Sequence, residues 1–112
     1  MEEFCRILPK VELHAHLNGS LSNLTLEKLA RLKGCLVPDI DLDQLSIDQV
    51  FDAFRQIQKL TDTKEAVTLA TYLTLGEFAA DNVKYIELRS TPRSTWYGQA
   101  VLDGIKQVSP TR

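Results

Sequence analysis

Leu8-Pro9-Lys10-Val11-Glu12-Leu13-His14-Ala15-His16-Leu17-Asn18-Gly19-Ser20 sets apolar Val11, Leu13, Ala15 and Leu17 against polar Glu12, His14 and His16. A period of two is the signature of a strand. Side chains at i and i+2 leave a strand on the same face, so His14 and His16 point the same way. At a rise of about 3.3 Å per residue their Cα atoms stand roughly 6.6 Å apart. Imidazoles leaning together from that spacing can each bring a nitrogen to about 2.0–2.1 Å from one zinc-sized ion. Asn18-Gly19-Ser20 is expected to end the strand through the backbone freedom of Gly19. The histidines thus fall at the carboxyl end of a strand, where parallel α/β sheets place their sites. A pair of polar residues on a half-buried strand would give the same spacing, and two ligands fill half of a zinc site.

Working outward, Ser22 is expected to cap a helix running to about Lys33. Leu26, Leu29 and Ala30 share one of its faces, and Gly34 follows as a C-cap. Cys35 to Leu45 reads as a loop. Its alternating Asp39, Asp41 and Asp43 lack the glycine and glutamate of a calcium-binding EF-hand. Ser46-Ile47-Asp48-Gln49 has the form of a capping box. Val50, Phe51, Phe54, Ile57 and Leu60 behind it predict a helix to about Leu60, with the aromatic stripe in the core. Asp62-Thr63-Lys64-Glu65 opens a third helix, through about Ala80, bearing Ala66, Leu69, Ala70, Leu73 and Phe78. Val83-Lys84-Tyr85-Ile86-Glu87-Leu88-Arg89 reads as a second strand. Two strands joined by a long helical excursion make a parallel, right-handed βαβ unit, with both strands opening at one end. At that end Pro92 stops strand pairing, Ser90 and Thr91 offer hydroxyls, and Arg93 offers a guanidinium fork suited to phosphate or carboxylate. A strand-ending turn with a solvated arginine is the plainer alternative. Tyr97 to Val108 predicts a last helix, with Val101, Ile105 and Val108 on one face.

Composition narrows the function classes. The chain has 112 residues, 44% hydrophobic and 25% charged, as in an ordinary globular domain. A net charge of −2 gives no footprint for nucleic acid or anionic membrane. No apolar run approaches the 18–20 residues of a membrane span, and Met1–Arg6 lacks a secretory core, so a cytosolic location is expected. Cys5 and Cys35 are expected to stay reduced there.

The Leu8–Ser20 motif resembles the first strand of the adenosine deaminase family of metal-dependent aminohydrolases. Its Asn-Gly-Ser ending is similar to the adenosine deaminase-like branch, as is Tyr85-Ile86-Glu87-Leu88-Arg89-Ser90-Thr91-Pro92-Arg93. The resemblance implies an α/β fold, the first two β/α units of a TIM (β/α)8 barrel. It implies one Zn2+ per complete site and hydrolytic loss of the purine N6 group, N6-methyl-AMP giving IMP and methylamine. His14 and His16 would be metal ligands. His16, Asn18, Ser90, Thr91, Pro92 and Arg93 would contact a purine nucleoside monophosphate. A third histidine, an aspartate and the catalytic glutamate would come from later strands. Where that branch has a histidine on the second helix, this chain has Gln58. Glu12 and Glu87 are read as partners of Lys10 or Arg89, leaving no catalytic residue here.

The similarity covers residues 1–107, a partial domain, with 108–112 a divergent tail. A complete barrel takes about 250 residues, so the chain is read as its first quarter or so, a truncated or N-terminal portion. By itself it is expected to be inactive and marginally stable, with open strand edges. The alternatives are a non-catalytic interaction protein or an unstable truncated product, and no particular protein partner is implied.

Overall fold

A computed structural model describes residues 2–37 and 46–108. The elements are α1 (Glu2–Ile7), β1 (Lys10–His16), α2 (Asn23–Lys33), α3 (Ile47–Leu60), α4 (Lys64–Ala80), β2 (Val83–Arg89) and α5 (Tyr97–Val108). The aspartate-rich loop at 38–45 and the tail at 109–112 lie outside the described residues.

β1 and β2 pair in parallel, Lys10 with Val83 and His16 with Arg89, with α2, α3 and α4 in the crossover. Pairing continues one step beyond β1, where the Leu17 N–H donates to the Arg89 carbonyl at 2.8 Å. Both strands therefore end level, as the βαβ reading requires.

Caps set the helix limits. Ser22 Oγ accepts from the Thr25 N–H at 3.2 Å and starts α2. Gly34, at φ 71°, ends it in the left-handed conformation that glycine adopts without Cβ strain. Ser46 and Gln49 exchange the two bonds of a capping box, at 3.3 and 2.8 Å. Thr63 rather than Asp62 caps α4, and Asp62 pairs with Lys33 of α2. Asn82 turns the chain into β2 at φ 62°.

The core has two parts that meet at Leu21. Leu26, Leu29 and Ala30 of α2 pack with Ile57 and Leu60 of α3 and with Ala66 and Ala70 of α4. Leu17, at the end of β1, packs with Val67, Tyr97 and Ala100, so α4 and α5 cover the strand ends.

One packing expectation needs correction, and three further features lie beyond the sequence reading. Phe51 is 58% exposed and Phe54 sits at the exposed limit, because α3 turns Ala53, Ile57 and Leu60 inward instead. On α5 the buried residues are Tyr97, Ala100 and Gly104, with Val101 packed beside them against the same cluster. Gly104 lets α5 press onto α4, where a Cβ would stand 2.6 Å from Thr71 Cβ and 2.7 Å from the Thr68 carbonyl oxygen. Val11 and Leu13 are more than half exposed, and the apolar side of β1 is buried only at Ala15 and beyond. Finally, Glu2–Ile7 forms a short helix that the sequence pattern had not suggested. It is held by Asn82 Nδ2 donating to the Ile7 carbonyl at 2.5 Å and Lys10 Nζ donating to the Arg6 carbonyl at 3.3 Å.

Ser22 carries a second load, since its hydroxyl also lies 2.9 Å from Glu77 Oε1 of α4. Replacing it by alanine orphans an N-terminal N–H and breaks that tie. The expected loss is about 1 kcal/mol, or about 4–8 °C in Tm for a domain of this size. Thermal melts followed by circular dichroism check this, and an unchanged midpoint would show that the cap contributes nothing.

Candidate functional site

At the carboxyl end of the sheet, Nε2 of His14 and Nε2 of His16 approach to 3.0 Å, with ring centroids 4.9 Å apart. The strand spacing brings the imidazoles together as expected. That separation is compatible with both nitrogens reaching one zinc-sized ion. Among the described residues no group of three or more His, Cys, Asp and Glu is placed to hold a metal.

The backbone around the histidines is firmly held. The β1–β2 register slips between Glu12 and Ala15, the local irregularity that often re-aims side chains beside sites. Within the slip, the His14 N–H donates to Glu12 Oε1 at 3.0 Å. Glu12 is therefore engaged locally rather than paired with Lys10, which binds Asp81 at 3.2 Å. Past the strand, the His16 carbonyl accepts from the Gly19 N–H at 3.1 Å and from Ser20 Oγ at 2.7 Å. Gly19 has no positive φ, and a Cβ there would meet only ordinary contacts at 3.7 Å. The turn follows from these hydrogen bonds, and the expected need for glycine's backbone freedom does not arise.

A cleft of about 550 Å³ opens at this end. His16, Asn18, Ser90, Thr91 and Arg93 line it, so most of the expected contacts gather in one place. His14 reaches it only through His16, and Pro92 is not on its wall. Asn18 Oδ1 is buried with no hydrogen-bond partner among the described residues. An orphaned acceptor in a cleft wall is costly unless a ligand or water donates to it.

Three lining side chains escaped the sequence reading, Phe54, Arg89 and Tyr97, and a fourth is Gln58, which stands where the resembled branch has a histidine. Phe54 and Gln58 are one turn apart on α3, and the signal for Phe54 was the aromatic stripe that pointed to the core. Arg89 is legible in hindsight as the last residue of the second strand motif. It donates to the Leu13 carbonyl at 3.4 Å rather than pairing with a glutamate. Glu87 instead accepts from the Tyr85 hydroxyl at 3.1 Å. That hydrogen bond, and then the carboxylate's charge, hold the Tyr85 phenol above its ordinary 10.0.

Arg89 and Arg93 bring two positive charges to the cleft, and no carboxylate lines it among the described residues. Such a surface favours an anionic ligand. With hydroxyls, an amide acceptor and an aromatic face, it suits a flat polar ring carrying a negative group. Among the described residues, no helix is long and apolar enough to cross a membrane.

Comparison with known proteins shows what the chain is similar to. The family model for adenosine deaminase matches residues 9–109. An N6-methyl-AMP deaminase of Xenopus laevis is 44% identical over 122 aligned residues, which cover 94% of this chain and 34% of that protein. A solved ADAL–IMP complex superposes with a TM-score of 0.84 at 38% identity, over 100% of this chain and 38% of that one. An Arabidopsis ADAL complexed with GMP gives 0.80 at 39% identity, over 98% and 37%. The chain thus spans about a third of the length of the relatives it matches.

Proposed function

The chain belongs to the adenosine deaminase family, and we propose that it forms the first part of a hydrolytic deaminase acting on N6-substituted purine nucleoside monophosphates. In this reading N6-methyl-AMP and water yield IMP and methylamine. The observation that carries it is the convergence of His14 and His16 to 3.0 Å beside a cleft lined by Asn18, Ser90, Thr91 and two arginines. Solved relatives bind IMP and GMP, both nucleoside monophosphates, which supports a nucleotide over a nucleoside.

His14 and His16 would hold Zn2+, with further ligands from outside these two β/α units. Zinc, when bound, supplies the lowering of a water pKa from 15.7 toward about 7, so that a nucleophile exists at neutral pH. The chain's own residues then bind and orient. Asn18 Oδ1 accepts a hydrogen bond from the ligand, ending its isolation. Ser90 and Thr91 offer hydroxyls, Pro92 shapes the loop that carries them, and Arg89 and Arg93 attract the phosphate. Neither Glu12 nor Glu87 lines the cleft, and both carboxylates are engaged locally, so neither is assigned as the acid; in this reading it is the glutamate that the family resemblance places on a later strand. These 112 residues alone would then bind zinc weakly and not turn over. Residues 1–107 form the working unit in this reading, with 108–112 outside it. A cytosolic setting is proposed with it, supported by two exposed thiols, Cys5 and Cys35.

A chimera tests the reading. Residues 1–107 replace the matching third of the Arabidopsis deaminase, and conversion of N6-methyl-AMP to IMP is followed by chromatography. Turnover within about tenfold of the parent (1.4 kcal/mol in the barrier) is expected. A folded, zinc-loaded chimera without turnover would overturn the proposal, and turnover by the 112-residue chain alone would overturn its inactivity.

A further inference from the structure

Arg93 lines the cleft, yet its partners belong to a different wall. Its Nη1 donates to the Gln58 carbonyl at 3.2 Å, and its Nη2 donates to the Thr61 carbonyl and, at 3.2 Å, to the Thr61 hydroxyl. The guanidinium also stands 5.9 Å from the Tyr97 ring centre. Three of its five N–H donors are therefore spent at the end of α3, leaving two for anything else. Carbonyls in the last turn of a helix lack intrahelical partners, and a cation there is favoured by the helix dipole. The contact spans 32 residues of sequence and joins the loop after β2 to α3.

The consequence lies in what α3 carries. Phe54 and Gln58 project from its last two turns into the cleft, and Gln58 is itself one of the residues Arg93 binds. Where α3 ends decides where this wall stands. We propose that Arg93 is a positioning residue, bridging the strand-end loop to α3 and so setting the distance from Phe54 and Gln58 to His16, Asn18, Ser90 and Thr91. This rests on the cleft being the ligand site, and it gives Arg93 a task beyond attracting an anion. An anion drawn to the two remaining N–H groups meets the same guanidinium that holds α3, so occupancy at one end of the cleft is felt at the wall.

Hydrogen exchange on the full chain, with no nucleotide or metal added, tests the bridge separately from the deaminase reading. In Arg93→Ala the amides of Leu60, Thr61 and Asp62 are expected to exchange about tenfold faster, while those in the middle of α4 keep their rates. Arg93→Lys retains a cation but not the planar fork, and is expected to recover part of the protection. Thr61→Val keeps the buried volume but removes an acceptor of Arg93 and the hydroxyl that donates to the Ile57 carbonyl at 3.2 Å, so it should act on the same amides. Added to Arg93→Ala it should contribute less than it does alone, because the part of its effect that runs through Arg93 is already lost. Unchanged exchange at the end of α3 in Arg93→Ala would overturn the proposal. Equal acceleration in α2, α4 and α5 would overturn it as well, since Arg93 would then be serving general stability. A failed chimera with a local exchange response would leave the bridge standing and remove only the function.

Discussion

Alanine in place of His14 or His16 is expected to cut the chain's zinc affinity by at least about 100-fold, because each imidazole supplies one of the two ligands the chain contributes. Both side chains are exposed, so the fold itself should change by no more than about 0.5 kcal/mol. Competition against a chromogenic chelator gives the affinity, and circular dichroism confirms that the variants stay folded. The two losses should not add. Once one imidazole is gone the other is a lone ligand, and the double variant should be little worse than either single one. Retained affinity in either single variant would mean that the ion, if any, is held elsewhere, and the convergence at 3.0 Å would be a hydrogen bond between histidines and nothing more.

The second large effect belongs to a residue with no side chain. In an exposed helix, replacing glycine by alanine stabilises by about 1 kcal/mol. At Gly104 that gain is overwhelmed, because the added carbon would lie 2.6 Å from Thr71 Cβ and 2.7 Å from the Thr68 carbonyl oxygen. Neither neighbour is the free end of a flexible chain, so α5 must lift from α4. Overpacking of this kind costs about 1–3 kcal/mol. Gly104→Val, with two further methyl groups, is expected at or beyond the upper end, lowering Tm by about 10 °C or more. A midpoint equal to that of the parent would show that the helices separate freely there. Gly98, with open space around its Cβ position, is the natural control, and its alanine variant should hold or raise the midpoint.

Local rules were legible in the sequence wherever they act through neighbours in the chain. The caps at Ser22 and Ser46, the left-handed stop at Gly34 and the two alternating strands all depend on residues within a few positions. The histidine pair was legible for the same reason, since strand geometry alone puts i and i+2 on one face. What escaped depends on distant partners. Phe51 and Phe54 have the spacing of a core stripe, but α3 meets α2 and α4 through Ala53, Ile57 and Leu60, and rotation about the helix axis is decided by those helices. Gly104 reads as an interruption until α4 is seen beneath it. Arg93 carries a free fork in the sequence, and only the folded chain shows most of that fork turned toward Gln58 and Thr61. Of the cleft, the strand-end residues were readable, and of the α3 wall only Gln58 stood out, through the resemblance rather than its spacing.

The pairing of Lys10 with Val83 also has a consequence in time. Synthesis proceeds at about 5–20 residues per second, so some 70 residues of intervening chain delay the partner strand by about 4–14 s. Through that interval β1 exists without its ladder, and Val11 and Leu13 are uncovered even after the sheet has formed. The helices can form as they emerge, because their hydrogen bonds are local, whereas the strand bearing the histidines must wait for the closure of a long loop. The strand that holds the histidine pair is made before its partner strand and ordered only after it.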